Sequence, residues 1–441
     1  MPPPFDASLP RDQRALFRRE FLRFLAASPL LAHFACRDTS GAPSTMADAD
    51  PSAVPLPALP KVPTGLIERV EDALDVFDFE ALAKSRVSPS HWEQLMGGSD
   101  DNATVRVNET AFSRLQLRPR RFIDTRVVDT KLELLGAKLK SPIILAPVAA
   151  QGLFDAQAEE ATARASARRG QIFVLSGTAS RDIGAVARAA GDPSLVWYQM
   201  YPTNDFEVTT RLIRKVEEAG CSTLVLSTDM ATRGNRLSLA RAARTDSAQC
   251  ATCHGADVNP VYPGRGSLTG YLRHFPMFAD LDLTNVKAAI VPITWELFSK
   301  IRGITKLRIV LKGVMTAEDT TLAVEHGADG VWVSNHGGRQ ENSGMAPIEA
   351  LEEVVHVIRK RLPLIVDGGV RRGVDVVKGL ALGADAIAVG RPQAWALGSF
   401  GEAGVTRLLE ILDAELTTTL KLCGVTHVKG VTSSHVRWRR T

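Results

Sequence analysis

From about residue 140, short apolar runs bounded by turn residues alternate with amphipathic stretches of helical period, and this alternation constrains the fold more than any single motif. The runs are Ile143–Ala146, Ile172–Leu175, Leu195–Tyr198, Thr223–Leu226, Leu307–Leu311, Gly330–Val333, Leu364–Val366 and Ala386–Val389. Runs this short and this uniformly apolar read as strands buried on both faces of a parallel sheet. The segments between them, such as 155–169, 205–219, 347–361 and 372–382, supply the crossover helices that parallel strands require. Eight units in strict alternation predict an α/β fold of the TIM (β/α)₈ barrel type rather than an open sheet.

The chain has 441 residues, 45% hydrophobic and 23% charged, ample for a barrel of about 250 residues with extensions. Composition and pattern predict a leader at 1–36, a Pro/Ala-rich linker at 37–68 and a barrel domain at 69–441. Residues 70–135 are a helical extension expected to cover the barrel's bottom or side. A long excursion at 233–300, after the fourth strand, is expected over one mouth. The net charge of +4 comes without a basic stripe interleaved with aromatics, which argues against nucleic acid as a partner. Arg18-Arg19, followed by Phe21-Leu22 and an apolar run broken at Pro29, resembles a twin-arginine export signal. That signal peptide predicts a periplasmic protein, with a cytoplasmic one as the alternative. The run is too short to predict a membrane span.

In barrels the chemistry sits at the C-terminal ends of the strands. The sixth run ends in Ser334-Asn335-His336-Gly337-Gly338-Arg339-Gln340, where glycines let the chain turn tightly. His336 can take a proton near neutral pH, and Arg339 can grip a carboxylate with two parallel bonds. The fourth ends in Ser227-Thr228-Asp229, an acid able to orient an imidazole. The fifth ends in Lys312-Gly313, a cation placed to balance developing negative charge. Asp367-Gly368-Gly369-Val370-Arg371 and Gly390-Arg391 follow the seventh and eighth strands, the usual phosphate site of barrels.

These strings resemble the FMN-dependent (S)-2-hydroxy-acid oxidases and dehydrogenases: glycolate oxidase, lactate oxidase, mandelate dehydrogenase and flavocytochrome b2. The resemblance runs from about residue 70 to the C-terminus. It is also carried by Ala111-Phe112-Ser113-Arg114, Leu145-Ala146-Pro147-Val148-Ala149-Ala150-Gln151-Gly152-Leu153, Tyr198-Gln199-Met200-Tyr201 and Gly234-Asn235-Arg236. The second and last of these lean toward the lactate-oxidase branch. The resemblance implies FMN over the barrel mouth, oxidation of a small lactate-like 2-hydroxy acid, and electrons passed to O₂ or an electron-transfer partner. It also implies a homo-oligomer, a homotetramer in many relatives.

Residue by residue, the resemblance implies His336 as base with Asp229 as its partner, and Arg339 on the substrate carboxylate. Arg236 would be the second arginine of the base loop, and Tyr201 would stand near the substrate hydroxyl. Lys312 would face the flavin N1/C2 carbonyl edge and stabilise negative charge there. Ala149, Ser176, Gln199, Ser227, Ser334, Asp367 and Gly369 would contact FMN, and Arg371, Gly390 and Arg391 its phosphate. The chain also departs from the pattern. Counting back from Ala111-Phe112-Ser113 puts Trp92 where relatives carry a tyrosine on the substrate carboxylate. Thr178 stands where some relatives have a large aromatic, and Glu341-Asn342 replaces Leu-Asp. An FMN-binding redox-relay barrel with another substrate is therefore the alternative. A barrel that merely binds a phosphate is disfavoured by Asp229, Lys312 and His336 together.

Five cysteines exclude a dense disulfide framework. Cys250-Ala251-Thr252-Cys253-His254 matches the attachment pattern of haem c, with His274 and Met277 as distal ligand candidates. A local disulfide, a metal clip and a chance loop sequence are the other readings of Cys250, Cys253 and His254. No separate metal site is expected.

Overall fold

The computed structural model describes residues 65–232, 234–246 and 268–439. Eight parallel strands close into a barrel: β1 Ile143–Leu145, β2 Phe173–Leu175, β3 Val196–Met200, β4 Thr223–Ser227, β5 Arg308–Val314, β6 Gly330–Val333, β7 Leu364–Val366 and β8 Ala386–Val389. Each pairs with its sequence neighbour, and β8 closes on β1 through Ile387↔Ile143 and Val389↔Leu145.

Two boundaries differ from the expected runs in informative ways. Leu195 lies in a 3₁₀ turn, Pro193–Leu195, because Asp192 accepts a bond from Ser194 N and Pro193 fixes the first φ. β3 therefore starts at Val196. β5 runs on past Leu311 through Val314, so Lys312 lies inside the ladder, opposite Ser227 and Trp332. A register shift follows between Lys312 and Val314.

Strand periodicity sorts the core into two shells. Ile144, Val174, Trp197, Val225, Val310, Trp332 and Ile365 point into the barrel. Ile143, Leu145, Phe173 and Leu175 point outward and pack under the helices. An antiparallel hairpin, Leu132–Leu134 with Ala137–Leu139, adds Leu134, Ala137 and Leu139 to the inner cluster and so closes the barrel bottom. Its two-residue turn, Leu135 (φ +48) and Gly136 (φ +84), has the left-handed geometry that matches strand twist.

Among the described residues, three α-helices precede the barrel: α1 Val76–Arg86, α2 Pro89–Met96 and α3 Ala103–Arg114. The expectation that 70–135 covers the bottom or side holds for the hairpin but not for α2. The last turn of α2 lies across the opposite, C-terminal mouth, where its carbonyls meet Arg339 and Arg391. The helix Leu237–Thr245 of the excursion packs beside it. At the other end of α2, Asp246 accepts a bond from Ser90 N at 2.8 Å and another from the Ser90 hydroxyl.

Candidate active site

The ends of β1, β2, β3, β5, β6, β7 and β8, with the last turn of α2, line a cavity of about 900 Å³, open solvent included. After β6 the chain turns through His336 (φ +56), Gly337 (φ +67) and Gly338 (φ +71). Glycine enters this left-handed region freely, whereas histidine enters it at a cost of about 1 kcal/mol. The turn carries the imidazole to Asp229, whose two oxygens stand 3.0 and 3.1 Å from Nδ1. Nε2 faces the Tyr201 hydroxyl at 3.5 Å. Gly313 makes room for this arrangement, since a Cβ there would stand 2.8 Å from the Asp229 Cβ.

Burial pushes the His336 pKa down; Asp229 pulls it up, and Lys312 and Arg339 push it down again, leaving it below the ordinary 6.5. Burial alone would raise Asp229, but His336 and Lys312 outweigh it and hold the carboxylate below its usual range. The pair is thus a neutral imidazole donating from Nδ1 to an ionised carboxylate, with Nε2 open as a base. Burial and the nearby Asp229 charge push the Tyr201 phenol up, so it stays protonated and able to donate.

Lys312 is buried, and its Nζ donates to Ser334 Oγ at 2.9 Å. The Ser334 hydroxyl donates in turn to Asp367 Oδ2 at 2.9 Å, and Trp332 Nε1 donates to the same oxygen at 3.1 Å. His336 N also donates to Ser334 Oγ, at 3.1 Å. One hydroxyl therefore ties the lysine, the base loop and Asp367 together.

Three arginines converge on the C-terminal carbonyls of α2, groups that have no partner within a helix. Arg339 Nη1 donates to the carbonyls of Gln94 (2.7 Å), Leu95 (3.0 Å) and Gly97 (3.2 Å). Arg236 Nη2 donates to Gln94 O at 3.1 Å, and Arg391 donates to Leu95 O and Met96 O at 3.2 and 3.0 Å. Nε and Nη2 of Arg339 are left without a partner among the described residues. Burial and the neighbouring Arg236 and Arg391 hold the Arg339 pKa well below its ordinary value. Burial and Arg371 push Arg391 down to about 10. So concentrated a positive field is relieved by an anion.

The tryptophan expected in the substrate pocket is elsewhere. Trp92 is buried in the hydrophobic core, and Gln94 and Leu95 line the cavity instead. Gln94 lies two positions on, about 200° round the helix from Trp92, so counting residues found the helix but not its inward face. Asn342 bonds Thr104 N and Asp101, joining the β6 loop to the start of α3. Of the expected flavin contacts, Ala149, Ser176, Lys312, Asp367, Gly369, Arg371, Gly390 and Arg391 line the cavity. Gln199, Ser227 and Ser334 are buried directly behind it. Two residues not expected at the site also belong to it: Phe154, which lines the cavity, and Glu109, which pairs with Arg371 at 2.6 Å.

A histidine paired with a buried carboxylate, a buried lysine and a glycine–arginine turn around one cavity fit an enzyme that binds a phosphorylated cofactor or substrate. Comparison with known proteins sharpens that class: the FMN-dependent dehydrogenase family model matches residues 83–438, and the chain belongs to this family. It is 38% identical to a peroxisomal (S)-2-hydroxy-acid oxidase of Oryza sativa subsp. japonica, over 83% of this chain and 97% of that one. It is 36% identical to glycolate oxidase of Spinacia oleracea, over 82% and 95%. Among solved structures, mandelate oxidase with (S)-2-phenylpropionate matches at TM-score 0.71 and 32% identity, covering 83% of this chain and 98% of that one. A flavocytochrome b2 variant matches at TM-score 0.73 and 28% identity, covering 84% and 88%.

FMN is the cofactor of this family, and the residues present fit it. Gln199 Nε2 and Asp367 Oδ1 are buried without a protein partner, and a Cβ on Gly390 would project into open space. Two arginines and the Gly368-Gly369 turn offer a phosphate cradle at one pole of the cavity.

The expected localisation is overturned. The periplasmic placement is contradicted by relatives such as the rice enzyme, whose name places it in peroxisomes, and the 1–36 leader lies outside the described residues. Cys250, Cys253 and His254 also lie outside them. Of the proposed haem ligands, Met277 is fully buried and its sulfur accepts a bond from Ile183 N, so it is spent as a core residue. His274 packs edge-on against the Phe275 ring.

Proposed function

We propose that this enzyme oxidises a small, lactate-like (S)-2-hydroxy acid to the 2-oxo acid, with His336 as the base and Arg339 holding the carboxylate. The observation that carries the reading is the contact of His336 Nδ1 with Asp229 at 3.0 Å, in the cavity that Arg339 and Lys312 also line. FMN bound there supplies the two-electron acceptor. Arg339 presents Nε and Nη2 to the carboxylate in a bidentate grip, held in place by the α2 carbonyls on its Nη1. Tyr201 donates to the substrate hydroxyl oxygen. Nε2 of His336 takes the proton released on oxidation, and Asp229 stabilises the imidazolium that results. Lys312 holds positive charge where negative charge grows. Arg371 and Arg391 anchor the FMN phosphate. Electrons then pass to O₂ or to an electron-transfer partner.

The relay-barrel alternative drew its support from Trp92, which packs in the core and does not line the cavity. Anaerobic mixing with a panel of (S)-2-hydroxy acids, beginning with L-lactate, is expected to bleach the flavin. A flavin that no member of the panel reduces would refute the reading. His336→Ala is expected to retain FMN and to reduce it about 10²–10⁴-fold more slowly.

A further inference from the structure

The phosphate pole of the cavity carries acids as well as arginines. Arg371 Nη2 donates to Glu109 Oε1 at 2.6 Å, and both side chains are largely buried, 10% and 22% exposed. Glu109 belongs to α3, whose backbone presses on the glycine turn: a Cβ on Gly369 would stand 3.0 Å from Glu109 N. Glu80, on α1, lies in the same field. Burial pushes its carboxyl up, Arg371 pulls it down and Glu109 pushes it up again, with Arg391 also within range. Arg371 is therefore already paired with a carboxylate where a phosphate dianion would dock.

We propose that Glu109 sets the affinity for the flavin phosphate, occupying Arg371 so that a phosphate monoester is held less tightly than the two arginines alone would hold it. This rests on the reading that the FMN phosphate docks at Arg371 and Arg391. A phosphate carrying nearly two negative charges at neutral pH must share Arg371 with the Glu109 carboxylate or displace it. Arg371 does not depend on Glu109 for its position. Its Nη1 donates to Val370 O at 3.0 Å, and its guanidinium stacks on the Trp395 ring at 4.9 Å. Repulsion between Glu109 and the phosphate therefore outweighs any help Glu109 gives in orienting Arg371.

Glu109→Gln separates charge from position, because the amide oxygen keeps an acceptor for Arg371 while the charge is lost. The measurement is quenching of flavin fluorescence on titration into apoprotein, with FMN and with riboflavin, which lacks the phosphate. Glu109→Gln is expected to lower the FMN dissociation constant about tenfold and to leave riboflavin unchanged. FMN bound equally or more weakly by Glu109→Gln, with riboflavin unchanged, would overturn the proposal and leave Glu109 a mere support for Arg371. Arg391→Ala tests the reading beneath it and is expected to weaken FMN more than riboflavin. If it leaves FMN unaffected, the phosphate docks elsewhere and the proposal falls with that reading.

Discussion

His336 occupies a backbone region costly for its side chain, and two glycines follow it in the same region. That cost is tolerated because the turn is pinned: His336 N bonds Ser334 Oγ, and Gly338 N bonds Asn335 Oδ1 at 3.0 Å. Asn335 is itself locked in a reciprocal amide pair with Asn108, at 2.8 and 2.7 Å. The depressed His336 pKa fixes a sign. Falling pH protonates the base and removes it, so the rate constant for anaerobic flavin reduction should fall through one inflection below pH 6.5 and stay level above it. Asp229 holds that pKa up, so Asp229→Asn should move the inflection lower still. The plateau should drop about a hundredfold, because the imidazolium loses its partner. Stopped-flow reduction across pH measures both, and a wild-type inflection above 6.5 would contradict the assignment. Most of this constellation is legible in the sequence, because His336 and Asp229 follow strand ends. Gln94 is not, since which face of α2 turns inward depends on what the helix packs against.

At the scale of elements, α2 is the bridge. Its N-terminal end is held by Asp246 from the excursion, and its last carbonyls hold Arg339, Arg236 and Arg391. An eight-residue helix is too short to stand alone in water, so both attachments matter to it. Asp246→Ala removes the acceptor at Ser90 and should cost the helix about 1 kcal/mol. Loosening α2 loosens the arginines, so KM for the 2-hydroxy acid should rise about fivefold, with kcat changing less. Steady-state kinetics decides this, and an unchanged KM would show that α2 does not orient Arg339. The helix itself could be anticipated from its sequence, with Ser88 before Pro89 as an N-terminal signal. Its place over the mouth rather than the bottom could not. That depends on contacts between residues some 240 positions apart.

At the scale of the molecule, the barrel separates stability from chemistry by its two ends. The hairpin residues Leu134, Ala137 and Leu139 close the bottom against Ile144, Trp197 and Trp332, while the proposed reacting groups stand at the mouth. Leu134→Ala should therefore cost about 3 kcal/mol and lower the thermal midpoint by several degrees. The FMN dissociation constant should not change. Calorimetry and flavin titration of the same variant test the separation, and a large loss of FMN affinity would refute it. The amino-acid sequence by itself determined the eight-fold alternation, the strand ends and the chemical types gathered there, because periodicity and turn residues are local properties. Tertiary structure alone decided that Lys312 sits within β5, that Gln94 rather than Trp92 lines the cavity, and that Glu109 faces Arg371. Each of these depends on packing between segments remote in the chain, and the closing of the barrel brings those segments together.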